Sequence, residues 1–153
     1  SKDASDDIFE DIAKNHDVQI FRGALLNKIK RWYDCFTYFN IENALLVDGD
    51  DLAYDYEIGK RAILNLKKHG SEMVLNPSNI ICGFFTYALN RNGILKLYNI
   101  AKFDELDTDI IHKFIKLSHL TTSFVKLKNK LNEVPYYIFY IIVVIQLRIN
   151  CTN

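Results

Sequence analysis

Apolar positions recur at three-to-four spacing along most of the chain, and that spacing predicts helices. Ile8, Phe9, Ile12 and Ala13 form a first stripe, with Asp6 and Asp7 placed to cap it. From about Val18 to Phe39, the residues Phe21, Leu25, Ile29, Trp32, Phe36 and Phe39 keep the same period, while Lys28, Lys30 and Arg31 take the other faces. That stripe is wide and aromatic, which implies burial on more than one side. The least helical stretch is Asn40 to Tyr56, where the short apolar run Leu45-Leu46-Val47 leads into a turn at Asp48-Gly49-Asp50-Asp51. The period returns with Ile58, Ala62, Ile63 and Leu66. Lys67, Lys68 and His69 then fill the last turn and Gly70 stops the helix.

Beyond that stop, Asn76 and Pro77 suit a cap and a first-turn position. They open a segment carrying Ile80, Ile81, Phe84, Phe85, Ala88 and Leu89, which Asn92-Gly93 closes. It is apolar nearly all round and is expected to be the central, most buried helix. Ile94 to Phe103 predicts a shorter helix. Asp104 to Thr108 reads as the acidic entry to a long one at Ile110, Phe114, Leu117, Thr121, Phe124 and Leu131, with Lys126, Lys128 and Lys130 near its end. The run Tyr136 to Ile145 is about half of the roughly 20 residues a bilayer span requires, so it is expected to be a buried terminal helix. Its richness in Ile, Val, Tyr and Phe would also suit a strand. A membrane tail over 134–149 would have to insert Gln146 and Arg148. The expected fold is all-α: a compact bundle of six to eight helices around a central apolar helix. No repeat or linker divides residues 1–153, so one helical domain is expected, with a flexible acidic N-terminus over about 1–6.

Composition agrees with a globular chain, at 49% apolar and 25% charged residues. Gly (6) and Pro (2) are scarce, so the chain is spent on long elements. Lys plus Arg (19) balances Asp plus Glu (19), which leaves no global field to draw the protein onto nucleic acid. Cys35, Cys82 and Cys151 lack the close spacing of a zinc site and read as reduced core thiols. No metal and no cofactor is expected.

The sharpest chemical feature is the acidic group Asp48, Asp50, Asp51, Asp55 and Glu57. Carboxylates at the end of an apolar strand are what two-metal enzymes use to hold magnesium. The Gly-Asp-Asp triplet resembles the catalytic turn of viral RNA polymerases, and Asp48-Gly49-Asp50 resembles the start of metal-dependent ribonuclease domains of the PIN type. The alternating strands and helices such a ribonuclease needs are not found downstream. The plain alternative is a solvated loop that caps the next helix. His16, His69, His112 and His119 share no metal-binding spacing, and the chain has neither a nucleophile elbow nor a Gly-rich phosphate loop.

The stretch Ala62 to Gly93 resembles part of a Bcl-2-type fold. Leu64 to Lys68 leads to Gly70, Asn76-Pro77-Ser78-Asn79 stands where that family has Asn-Trp-Gly-Arg, and Ile80-Ile81-Cys82-Gly83-Phe84-Phe85 opens the central helix. Only Asn76 of the four-residue motif is retained. The abundance of Ile (19), Asn (14) and Lys (14, against 5 Arg) resembles the usage of poxvirus members of the family. The resemblance implies a non-enzymatic viral modulator of host apoptosis or innate immune signalling. Its partners would be host pro-apoptotic helical peptides or innate-signalling proteins, with a homodimer as a further option. Its place would be the host cytoplasm or the mitochondrial surface. The implied groove runs along Ile63, Leu66, Met73, Leu75, Ile81, Phe85 and Ala88, with Phe85 as its hot spot. The alternatives are a small metal-dependent nuclease using Asp48, Asp50 and Asp51, which would need a central sheet, and a structural or assembly subunit.

Overall fold

A computed structural model describes residues 1–76, 83–103, 106–125 and 141–144. In chain order its elements are α1 (Ile8–Asn15), α2 (Lys28–Tyr38), β1 (Asn43–Asp48), α3 (Tyr56–His69), β2 (Met73–Leu75), β3 (Tyr87–Asn90), α4 (Arg91–Ile100), α5 (His112–Leu117), β4 (Thr122–Phe124) and β5 (Ile141–Val144). The chain is therefore α/β, and the all-α expectation is overturned. It divides into two compact units, Ser1–Ile41 with Ile94–His119, and Glu42–Gly93 with Leu120–Asn153.

In the first unit, Ile29, Trp32, Cys35 and Phe36 are the buried face of α2. Leu97, Ala101, Ile111 and Phe114 are also interior in this unit. Tyr33 of α2 stacks on Tyr98 of α4 with ring centroids 3.9 Å apart and planes within 5°. Asn27 organises the entry to α2. Its Oδ1 accepts from Lys30 N at 2.8 Å and from Thr108 Oγ1 at 3.3 Å. Its Nδ2 donates to the carbonyls of Ala101 and, at 2.7 Å, Phe103. Residues Val18 to Asn27, expected as the first half of a long helix, lie outside any helix. Ahead of them, Asp3 caps a 3-10 turn at Ala4–Asp6.

The second unit is built on a five-stranded sheet in the order β4-β2-β3-β1-β5. β1 runs parallel to β5 and antiparallel to β3, with Leu45 opposite Ile141 and Ala88. β2 runs antiparallel to β3 and parallel to β4, with Met73 opposite Leu89 and Thr122. Helix α3 links β1 to β2. Its apolar stripe Ile58, Ala62, Ile63 and Leu66 packs with Leu45, Val74, Phe85, Ala88 and Val125 in one buried cluster. Asp55 caps its start, and Gly70, in the left-handed conformation (φ 65°), ends it. The extent of this helix matches the sequence pattern, because amphipathic period, cap and stop all agree.

Strands replace helices where burial erases the pattern. Ala44, Leu45, Leu46 and Val47 are all buried, so β1 shows a continuous apolar run without alternation. The expected central helix is instead a bend at Gly83-Phe84 followed by β3, while residues 77–82 lie outside the described set. A buried strand and a buried helix turn have the same apolar signature, and the aromatic content of Phe84 to Tyr87 favours the strand. The expected long helix ends after α5, where His119 takes a left-handed φ of 49° and the polar Thr121-Thr122-Ser123, with two β-branched threonines, enters β4. Of the apolar run 136–145, the described part, Ile141–Val144, is strand β5 and not a terminal helix. Among the described residues no helix is long and apolar enough to cross a membrane.

Candidate functional site

In open sheets with parallel strands, ligands bind beyond the carboxyl ends of the strands. β1 lies inside the sheet, and at its carboxyl end stand Asp48, Gly49, Asp50 and Asp51. Two consecutive turns shape this segment. Asp51 N donates to Asp48 O at 3.0 Å, and Tyr54 N donates to Asp51 O at 3.2 Å. Asp50 is exposed, and Leu52 stands free at the tip with 96% of its surface accessible.

Three contacts hold the loop in place. Thr86 Oγ1, just ahead of β3, donates to Asp51 Oδ2 at 2.6 Å. Asp55 N donates to Phe84 O at 2.7 Å, which ties the end of the loop to the same segment. The Asp55 carboxylate accepts from Glu57 N at 2.8 Å and Ile58 N at 3.1 Å, and so anchors the loop to the first turn of α3. Gly83, at φ 88°, lets the backbone turn beside Asp51: a Cβ there would lie 3.4 Å from Asp51 Oδ1.

Tyr54 belongs to this loop and packs toward α3. Its ring is partly buried against the α3 core cluster, and its hydroxyl is buried without a hydrogen-bond partner. Burial, with smaller contributions from the charges of Asp55 and Asp51, pushes the phenol up to about 12.

Chemically, the turn offers hard oxygen donors on an open edge. Among the described residues no three of His, Cys, Asp and Glu are grouped to cage a metal. A two-metal nuclease centre requires such a grouping, so that alternative is not supported. The four histidines are all exposed and dispersed: His16, His112 and His119 lie in the first unit and His69 at the end of α3. Cys35 is buried as a free thiol, as the sequence suggested, and burial raises it to about 11.

The expected groove residues occupy another role. Ile63 and Leu66 on α3, Ala88 on β3 and Phe85 just before it are brought together as packed interior, with Phe85 only 1% exposed. Met73 on β2 is fully buried, and Leu75 is partly buried at the end of the same strand. Ile81 lies outside the described residues. Ile63, Leu66, Phe85 and Ala88 are thus interior, where the implied groove would need them open. Sequence reasoning passed over Thr86 and Tyr54. Thr86 reaches Asp51 across 35 residues, and no local spacing signals that pairing.

No protein-family model matches the chain, and no curated protein matches it. Among solved structures the chain is similar to a cytidylyltransferase from Leptospira borgpetersenii serovar Hardjo-bovis (strain JB197). The TM-score is 0.71 at 22% sequence identity, over 85% of this chain and 56% of that one. The chain thus spans a little over half the length of that enzyme, and at this identity the likeness establishes the fold. An α/β fold shared with an enzyme overturns the expectation of an all-α, non-enzymatic viral modulator of apoptosis or innate signalling.

Proposed function

We propose that the second unit of this chain carries a nucleotide-binding site of cytidylyltransferase type, with the acidic turn after β1 as its cation-binding element. The observation that carries this reading is the position of Asp48, Asp50 and Asp51 at the carboxyl end of an interior strand, in a fold similar to a cytidylyltransferase. Magnesium is commonly held by one or two carboxylates together with substrate phosphates and not by an all-protein cage. An exposed Asp50 beside an Asp51 fixed by Thr86 fits that mode. Asp50 and Asp51 would hold the cation, which when bound supplies charge neutralisation to the triphosphate.

Cytidylyl transfer joins an acceptor oxygen to the α-phosphorus of CTP and releases pyrophosphate. The part this chain's residues play is positional. Thr86 orients Asp51, and Asp55 locks the loop to α3, so the carboxylates need not reorganise when ligand arrives. Binding is assigned to the acidic turn and not to a Gly-rich phosphate loop, which the sequence does not contain.

The test is calorimetric titration of the full chain with CTP, with and without magnesium, and with ATP, GTP and UTP as competitors. Magnesium-dependent binding that prefers CTP is expected, and Asp50→Asn and Asp51→Asn should each weaken it by about tenfold or more. Asn at position 51 can still accept from Thr86, so the loop is retained. Binding that ignores magnesium, or Asn variants that bind like the parent, would refute the reading.

A further inference from the structure

A buried hub in the first unit gathers four exposed apolar side chains. Asn27 and Thr108 are both fully buried, and Thr108 Oγ1 donates to Asn27 Oδ1. Around them, Asn27 Nδ2 donates to Phe103 O at 2.7 Å, Thr108 N donates to Leu26 O at 3.4 Å, and Ile29 N donates to Thr108 Oγ1 at 3.1 Å. Leu26 and Phe103 each carry one of these bonds, and Leu25 and Ile110 stand within two residues of Asn27 and Thr108. The side chains of all four nonetheless face solvent, from 52% exposed at Leu26 to 71% at Ile110.

Single exposed leucines are ordinary on a protein surface, whereas several large apolar side chains collected on one fixed base mark an interaction face. Together these four expose on the order of 500 Å² of apolar surface, inside the range of about 300–600 Å² where a monomer's largest patch is often functional. The hydrogen bonds beneath hold the chain segments that carry the patch, so little conformational freedom is left to lose when it is covered. Left in water, the same side chains contribute nothing to folding.

We propose that this patch is the face through which two copies of the chain pair about a two-fold axis, with Phe103 and Ile110 at its centre. The area and the charge both favour a second copy as the occupant. Facing patches would cover about 1,000 Å² from these side chains alone, which reaches the size a specific interface requires. The rim carries both signs of charge, since Lys102 precedes Phe103, Asp107 precedes Thr108, and both are exposed. An axis between Phe103 and Ile110 sets Phe103 on the partner's Ile110 and Lys102 against the partner's Asp107. A surface of one charge sign, such as an anionic membrane, would instead meet one of the two as a like charge. Lys plus Arg balances Asp plus Glu over the whole chain, so two copies do not repel each other at long range.

Sedimentation equilibrium of the full chain from about 1 μM to about 300 μM tests the pairing. A monomer–dimer equilibrium with a micromolar dissociation constant is expected. Phe103→Asp and Ile110→Asp should each weaken it by about tenfold or more, with urea midpoints close to the parent's, because both side chains lie on the surface. Lys102→Glu and Asp107→Lys should each weaken pairing as well, and the double variant should recover it to within about threefold of the parent. A parent that stays monomeric throughout, or that assembles past the dimer, overturns the inference. So do Asp variants that pair as tightly as the parent, and a double charge reversal that pairs no better than either single one. If Phe103→Asp fails to fold, Ile110→Asp reads the same contact and decides.

Discussion

Asn27 joins the start of α2 to a segment more than seventy residues away, and its removal can be worked through quantitatively. It is fully buried, caps α2 through Lys30 N, and donates to the carbonyls of Ala101 and Phe103. Asn27→Ala loses the cap, about 1 kcal/mol. It also leaves two carbonyls without these donors in a dry site, at about 1 kcal/mol or more each. The combined loss should be about 3–4 kcal/mol. Asn27→Asp discriminates the two contributions: it keeps the cap acceptor but sets a carboxylate oxygen against the two carbonyls. It should therefore cost at least 2 kcal/mol, about the same as the two lost donor bonds. Trp32, the only tryptophan, lies on α2 in the same unit and reports its unfolding by fluorescence. With a urea slope of about 2 kcal/mol per molar, Asn27→Ala should lower the midpoint by about 1.5–2 M. A loss below about 1 kcal/mol in Asn27→Ala, or a neutral Asn27→Asp, would show that the cap is the whole contribution and refute the reasoning.

Phe85→Ala should act through stability, because Phe85 is 1% exposed within the α3 core cluster. A loss of about 3–5 kcal/mol is expected, read from hydrogen exchange of the β1 and β3 amides, and a loss under about 1 kcal/mol would contradict the interior placement. Alkaline pH should destabilise the chain in two windows. Cys35 is held up at about 11 from an ordinary value of 9.0, and Tyr54 at about 12 from 10.0, in both cases chiefly by burial. Below pH 9 neither group contributes, since both are protonated whether the chain is folded or unfolded. As pH rises past 9 and then 10, the unfolded chain sheds protons that the folded chain keeps, and stability falls. Urea midpoints from pH 8 to 12 should show this decline, with a smaller slope above pH 10 in Tyr54→Phe; a flat profile would contradict it.

How much was legible in the sequence varies by element, and the differences have physical causes. Helix α3 could be read in full, because an amphipathic stripe, an acidic start, lysines in the last turn and Gly70 are all local signals. The acidic turn after Leu45-Leu46-Val47 was legible as well, including its tie to the helix that follows, which Asp55 supplies as an N-cap. β1 shows an apolar run without the alternation of a strand, and the apolar run that contains β3 carries the signature of a buried helix equally well. Burial of consecutive positions removes the alternation by which a strand announces itself. The same ambiguity bears on Phe85 and Ala88, which are interior through the pairing of β3 with β1 and contact with α3.

The sequence by itself determined the short-range features: where α3 begins and ends, where the carboxylates cluster, and that Cys35 sits among apolar neighbours. These depend on residues within a few positions of each other, and their energetics are local. Only the tertiary structure decided that the chain is α/β, that Thr86 holds Asp51, that Asn27 serves the carbonyls of Ala101 and Phe103, and that Tyr54 rests against Gly59. Strand pairing, a buried amide network and an unpaired hydroxyl arise from partners brought together across the chain. Their free energy resides in the contact and not in either segment, so neither segment's pattern records it.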